Sequence, residues 1–282
     1  MADAAGTGGW GFTDDRGAAL AAGRAPERVV AYVRAGAALL DLGVRPLAVY
    51  GSGHDGEALD PVKAGGLAAA GVPYLGPGRA LDAARLRALG GVDLLVDVTY
   101  DGKSPYAVDE ALAAESGAGL AALSVSGELS LPAIVGRFGE LASALGAPPG
   151  TAGRWGDAEA AVRAAVSRAD VTVLALSGAG PEQVHLARPH AWPELALLAE
   201  LGVRFVDPGP GPGANWLTAD WEHAVGLAPG LVLFDSRANA VPPHAVPPGA
   251  RLAPWNPETP PSPAACARFL QDLAAALEDR EP

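Results

Sequence analysis

Cysteine is almost missing from this 282-residue sequence: Cys266 stands alone, which excludes an internal disulfide framework and any cysteine-based metal cluster within one chain. Lysine is nearly as scarce, with only Lys63 and Lys103 beside abundant arginine. No stretch reaches the roughly eighteen uninterrupted apolar residues of a membrane span, so no membrane-spanning segment is expected. The first ten residues carry neither the charged nor the apolar region of a signal peptide. Read from Met1 as a native start, the chain is expected in the cytoplasm; if a signal segment is missing from it, it is expected outside. Basic charge is short too: the formal net charge of -12 argues against nucleic acid or an anionic membrane as the main partner, because both reward a basic face.

Catalytic signatures are equally absent. There is no Gly-x-Ser-x-Gly elbow, no HExxH and no HxxxH. The Gly6-x-Gly-x-x-Gly11 pattern follows no strand, and the Asp207–Gly213 run lacks the lysine of a phosphate loop. What is present is a steady alternation of apolar runs with helical periodicity. Strands are predicted at 29–33, 46–50, 72–75, 92–98 and 119–125, with helices at 35–42, 82–89 and 108–116 between them. The pattern restarts with strands at 171–176, 183–186, 203–206 and 231–234 and helices at 157–168, 192–201, 218–225 and 263–277. The prolines at 242, 243, 247 and 248 mark an extended connection before the last helix. Strands alternating with helices predict mainly parallel, doubly wound sheets.

Between the two sets lies one helix, Ser130–Leu145. Ser130 can cap it, Pro132 sits in its first turn, Gly146 ends it, and Leu131, Ile134, Val135, Phe138, Leu141 and Leu145 share one face. The reading is therefore two α/β lobes, 1–129 and 148–282, joined by a connecting helix at 130–147. A ligand of such folds lies outside the carboxyl ends of the strands. Gly136 and Gly139 weaken the helix interior and would suit close packing or slight bending.

In order and spacing, several segments resemble one family. They are Phe12-Thr-Asp-Asp-Arg-Gly17, Ala25-Pro-Glu-Arg-Val-Val30, Ala38–Pro46, Leu81–Val96, the connecting helix and Trp192-Pro-Glu-Leu-Ala-Leu-Leu-Ala-Glu-Leu-Gly202. The family is the ABC-transporter substrate-binding proteins of the iron-siderophore, haem and cobalamin group. The resemblance implies a ligand held between two lobes whose closure is small, with no intrinsic cofactor and a ferric siderophore or other chelate as ligand. It also implies a monomer delivering to an ABC permease, with exposed glutamates that dock on it; Glu57 and Glu194 are the candidates.

The candidate ligand contacts are side chains at strand ends. In the first lobe these are Arg34, Tyr50, Ser52, His54, Asp55, Tyr100, Asp101, Lys103, Ser104 and Tyr106. In the second they are Ser177, His185, Arg188, His190, Trp192, Asn215, Trp216, Asp235, Ser236 and Arg237. Arg34, Arg188 and Arg237 offer paired donors to an anionic chelate, or else cap strands and pair with aspartates. Tyr50, Tyr100, Trp192 and Trp216 offer an aromatic wall. Two alternatives stay open. One is direct metal-ion binding by His185, His190 and Asp235 with His54 facing them. The other is a cytoplasmic enzyme, biosynthetic or sequestration factor that kept the fold without export, for which Ser177 or Ser236 with a histidine and Asp235 is the hydrolase arrangement.

Overall fold

The structure, a computed structural model, describes residues 9–148, 155–243 and 245–279. A hairpin of β1 (Trp10–Thr13) and β2 (Ala19–Ala22) precedes the first lobe. Then β3 (Val29–Tyr32) runs directly into α1 (Val33–Asp41), followed by β4 (Ala48–Gly51), α2 (Pro61–Ala64) and β5 (Tyr74–Pro77). The lobe is completed by α3 (Ala83–Ala88), β6 (Leu94–Thr99), α4 (Glu110–Ser116) and β7 (Gly119–Ser124). The sheet order is β5-β4-β3-β6-β7, parallel throughout. All four residues of β3 and all six of β6 are buried. A strand covered on both faces has no solvent side, so it reads as a continuous apolar run.

From β7 the chain passes into α5 (Leu131–Ala144), whose first turn is capped by Ser130 Oγ accepting from the Ala133 N–H. Gly146, at φ +90°, follows its end, in the left-handed conformation that glycine adopts most cheaply. The predicted apolar face is buried except at half-buried Leu145, and it serves two cores. Ile134, Phe138, Leu141 and Ala142 pack into the first lobe, while Leu131 and Val135 pack into the second. A helix seated in both cores transmits strain between them, because each packed side chain resists rotation of the rod. Gly136 and Gly139 face open space, with nothing within 4 Å of where a Cβ would lie, so they serve no close packing.

The second lobe comprises α6 (Trp155–Arg168), β8 (Thr172–Gly178), β9 (Gln183–Ala187), α7 (Pro193–Glu200) and β10 (Arg204–Phe205). It continues with β11 (Trp216–Asp220), α8 (Trp221–Gly226), β12 (Leu231–Asp235), β13 (Arg251–Trp255) and α9 (Pro263–Glu278). The strand order is β11-β9-β8-β12-β13, with β10 on β8. Strands β10, β8, β12 and β13 are parallel, and β9 is antiparallel to both of its neighbours, β8 and β11. The chain thus folds as two α/β lobes with mainly parallel sheets.

Two expectations are corrected. The helix predicted at 218–225 is strand through Asp220 and helical only from Trp221. Trp216 pairs with Ala187 and Thr218 with His185, and the Asp220 carboxylate accepts from the His223 N–H as the cap, which fixes the boundary. The connection before the last helix also contains β13. Its Pro254 is tolerated because β13 pairs only with β12 and is an edge, where a missing N–H breaks no ladder.

Candidate functional site

The carboxyl ends of strands from both lobes meet. Tyr32 ends β3, Ser52 and Asp55 follow β4, and Tyr100 to Tyr106 follow β6; opposite them stand Ser177 on β8, Asp235 on β12, Trp255 on β13 and Glu258 just beyond. At the centre lies a buried ion network that crosses the lobes. Lys63 Nζ, on the last turn of α2, is 2.7 Å from Asp55 Oδ1 and 2.9 Å from Glu258 Oε1. Arg237 Nη1 is 2.6 Å from the same Glu258 oxygen, and its Nη2 is 2.6 Å from Asp235 Oδ2. Tyr32 donates its hydroxyl proton to the other Glu258 oxygen. The Ser52 N–H and hydroxyl donate to Asp55, and the Ser177 hydroxyl donates to Asp235 at 2.8 Å.

Burial pushes the Glu258 carboxyl up, but Lys63, Arg237 and the Tyr32 hydrogen bond outweigh it and hold it below the usual carboxylate range. Burial opposes the charge of Lys63 as well, and Glu258 and Asp55 overcome it, so its ammonium is held more tightly than usual. Further bonds close the seam around this centre. Arg34 Nε donates to the Thr259 carbonyl at 3.1 Å, the Ala238 N–H to Asp60 at 2.8 Å, Asn256 Nδ2 to the Val62 carbonyl at 3.1 Å and the Ser262 hydroxyl to Asp41 at 2.6 Å. On another side the lobes approach through backbone alone. A Cβ on Gly127 would overlap the Ala191 carbonyl group, so only glycine fits there.

Two aromatic groups flank the network. From the first lobe, Tyr106 stands edge-on to Tyr32 and to Tyr100, with ring centroids 5.7 Å and 5.0 Å apart. From the second, Trp192, Trp216 and Trp255 form a mutual cluster with centroids 4.8–5.8 Å apart, and His185 lies 6.2 Å from Trp216. Tyr106 is 37 % exposed and Trp192 and Trp216 are half-buried, so these rings present faces to solvent beside the buried charges.

The predicted contacts are thus sorted by the fold. Tyr100, Tyr106, Ser177, Trp192, Trp216 and Arg237 come together, with Arg34 in the first turn of α1 and Ser52 within the network. Tyr50 is fully buried and donates to the Val96 carbonyl, as a core residue does. Arg188 donates to the carbonyls of Gly209, Gly211 and Gly213 and so pins the Pro/Gly-rich loop. His54 and Lys103 are exposed on loops and His190 on a single 3-10 turn, and His185 bonds Thr218 Oγ1 at 2.9 Å. Asp101 accepts from the N–H groups of Lys103 and Ser104, shaping its own turn. Asn215 gives its carbonyl to Trp192 Nε1, and Ser236 donates to the Trp255 carbonyl.

Among the described residues, no group of three or more His, Cys, Asp or Glu side chains is placed to hold a metal ion. The Ser177 hydroxyl donates to Asp235 and the Ser236 hydroxyl to a carbonyl, so the Ser-His-Asp arrangement is not assembled by these bonds. Glu194 cannot dock on a permease: it is 1 % exposed, on the first turn of α7 where it faces Arg34. Glu57 is exposed. Sequence reasoning missed Tyr32, Lys63, Trp255 and Glu258. Glu194 and the indole N–H of Trp255, both buried at this seam, interact with each other, and Trp255 offsets part of the effect of burial on the Glu194 carboxyl.

No protein-family model matches the sequence, and no curated protein matches it. Solved structures do. The chain is similar to DesE, a ferric-siderophore receptor protein from Streptomyces coelicolor, with 26 % identity and a TM-score of 0.81 over 96 % of this chain and 98 % of that one. It is also similar to the siderophore periplasmic binding protein from the fuscachelin gene cluster of Thermobifida fusca, with 14 % identity and a TM-score of 0.62 over 90 % and 97 %. A periplasmic haem-binding protein from Pseudomonas aeruginosa follows with 18 % identity and a TM-score of 0.60 over 91 % and 94 %. The fold is therefore that of the two-lobe periplasmic binding proteins. Its structural neighbours are the siderophore and haem members, the group that the sequence resembles.

Proposed function

We propose that this chain is a binding protein that captures a ferric siderophore, or a similarly bulky chelate, in the cleft between its lobes. The observation that carries the reading is the likeness to a ferric-siderophore receptor at 26 % identity over 96 % of the chain. The facing tyrosine and tryptophan groups support it, because aromatic faces bury a large organic ligand with little loss of side-chain entropy. The chelate is cargo, and no resident cofactor is part of the reading.

In this reading the protein works as a monomer outside the cytoplasm and delivers its cargo to an ABC permease. Among the described residues no helix is long and apolar enough to cross a membrane. The test is titration of the protein with ferric siderophores, haem and corrinoids, read by intrinsic fluorescence. Trp192, Trp216 and Trp255 lie within 4.8–5.8 Å of one another, so an iron chelate beside them quenches strongly. Saturable quenching by a ferric siderophore is expected. No quenching by any of the three ligand types refutes the proposal.

A further inference from the structure

The charges at the seam can be balanced group by group. Arg34 and Lys63 from the first lobe and Arg237 from the second are the buried cations, at 3 % and 0 % exposure for the first two and 16 % for the Arg237 side chain. Against them stand the buried carboxylates of Asp55, Asp60, Asp235, Glu258 and Glu194. Lys63 and Arg237 are spent on Asp55, Asp235 and Glu258 at 2.6–2.9 Å. Arg34 donates to the Thr259 carbonyl and reaches the Tyr100 hydroxyl at 3.5 Å, with Glu194 and Glu258 favouring its charge. Burial pushes the Glu194 carboxyl toward its neutral form. The sum is one negative with Glu194 protonated and two negative with it ionised. None of these three cations is left over for a ligand.

The cations around it are few and exposed: Lys103 on the Tyr100–Tyr106 loop, and Arg79, which donates to the Gly53 carbonyl. Beside Tyr100, between the first lobe and α5, a cavity of about 750 Å³ is lined by Asp15, Asp101, Glu128, Glu140 and Arg137 among others, and Arg137 is already bonded to Asp15 at 2.7 Å. The ring faces of Tyr106, Trp192 and Trp216 attract cations rather than anions. A polyanionic chelate entering the cleft gives up its hydration and meets a network whose cations are already paired, a cost of several kcal/mol per uncompensated charge. A chelate of zero or single positive charge has no such cost.

Resting on the siderophore reading above, we infer that the cleft selects its cargo by charge: it takes electroneutral or cationic ferric chelates and rejects polyanionic ones, with Glu258 setting the balance. Glu258 has this role because it accepts from Tyr32, Lys63 and Arg237 at once. Removing its charge makes the site one unit more positive, while Lys63 keeps Asp55 and Arg237 keeps Asp235.

The probes are a ferric tris-hydroxamate, in which three singly charged arms neutralise the iron, and a ferric tris-catecholate, which carries three negative charges. Dissociation constants of both are measured by fluorescence quenching at one ionic strength, for the native chain and for Glu258→Gln. The native chain is expected to prefer the hydroxamate by about 100-fold or more, the scale of one charge interaction at a partly shielded site. Glu258→Gln is expected to narrow that ratio by about tenfold. Asp235→Asn makes the same change in charge beside Arg237 and is read instead if Glu258→Gln does not fold. Equal or reversed preference in the native chain overturns the inference while the siderophore reading stands. An unchanged ratio in the variant overturns the role of Glu258. Binding of neither chelate overturns the siderophore reading itself and this inference with it.

Discussion

Lys63→Met is the substitution that most directly tests how the lobes are held. The Lys63 side chain has no solvent exposure, and its ammonium joins Asp55 of its own lobe to Glu258 of the other at 2.7 Å and 2.9 Å. Methionine keeps most of the apolar stem and removes the charge. Asp55 keeps the Ser52 N–H and hydroxyl, and Glu258 keeps Arg237 and Tyr32, yet both carboxylates stay buried with less compensation. Breaking a buried ion pair from one side costs about 3–5 kcal/mol, a large share of the 5–15 kcal/mol typical of a folded domain. In a chain of this size that lowers Tm by roughly 6–20 °C. Urea unfolding at neutral pH, followed by fluorescence, reads the loss directly. The pH dependence identifies its origin. Glu258 has a depressed carboxyl in the folded protein, so its contribution is present above the unfolded value near 4.3 and is lost as pH falls through the folded value. The variant lacks the Lys63 share of that contribution, so the gap between native and variant narrows below about pH 4. A loss under about 1 kcal/mol, or a gap that does not change with pH, refutes the claim that charge holds this seam.

Replacing Gly136 and Gly139 by alanine together is expected to stabilise α5 by up to about 1 kcal/mol each, since nothing lies within 4 Å of either Cβ position; a raised Tm with unchanged ligand affinity shows that bending at these glycines has no role, and a lowered Tm refutes the assignment. Gly127→Ala is expected to force the crossover away from the Ala191 carbonyl, because the overlap is with backbone on both sides and no side chain can give way. The circular dichroism spectrum should be unchanged and ligand affinity should fall by tenfold or more, whereas unchanged affinity would mean that the lobe spacing there does not matter to binding.

Much of the architecture was legible because it is written in local periodicity. The runs at Val29–Tyr32 and Leu94–Thr99 are buried throughout, and a strand covered on both faces cannot hide that in its sequence. The connecting helix was legible from its cap and its apolar face for the same reason. What its sequence did not disclose is that the face is shared, with Leu131 and Val135 in one core and Ile134, Phe138 and Leu141 in the other. Helical spacing reports that a residue is covered and is silent about what covers it. Strand β11 was misread because Thr218 to Val225 satisfies a short helical pattern, and the ladder to β9 that overrides it depends on a distant segment.

The candidate site was half legible for a related reason. Strand ends are where side chains gather in such folds, and that rule alone found Tyr100, Tyr106, Trp192, Trp216 and Arg237. The network at the centre obeys no local rule, since Tyr32 and Glu258 are 226 positions apart and Glu258 sits in the Pro-rich run Asn256-Pro-Glu-Thr-Pro-Pro261, read as a connection. One signal was available. A chain that uses arginine almost everywhere keeps a lysine at position 63, and the geometry explains the exception. Two carboxylates from different lobes lie within 2.9 Å of one nitrogen on a stem without solvent exposure. A compact ammonium with freely rotating donors satisfies both, whereas the wide planar fork of a guanidinium would have to push the lobes apart to enter.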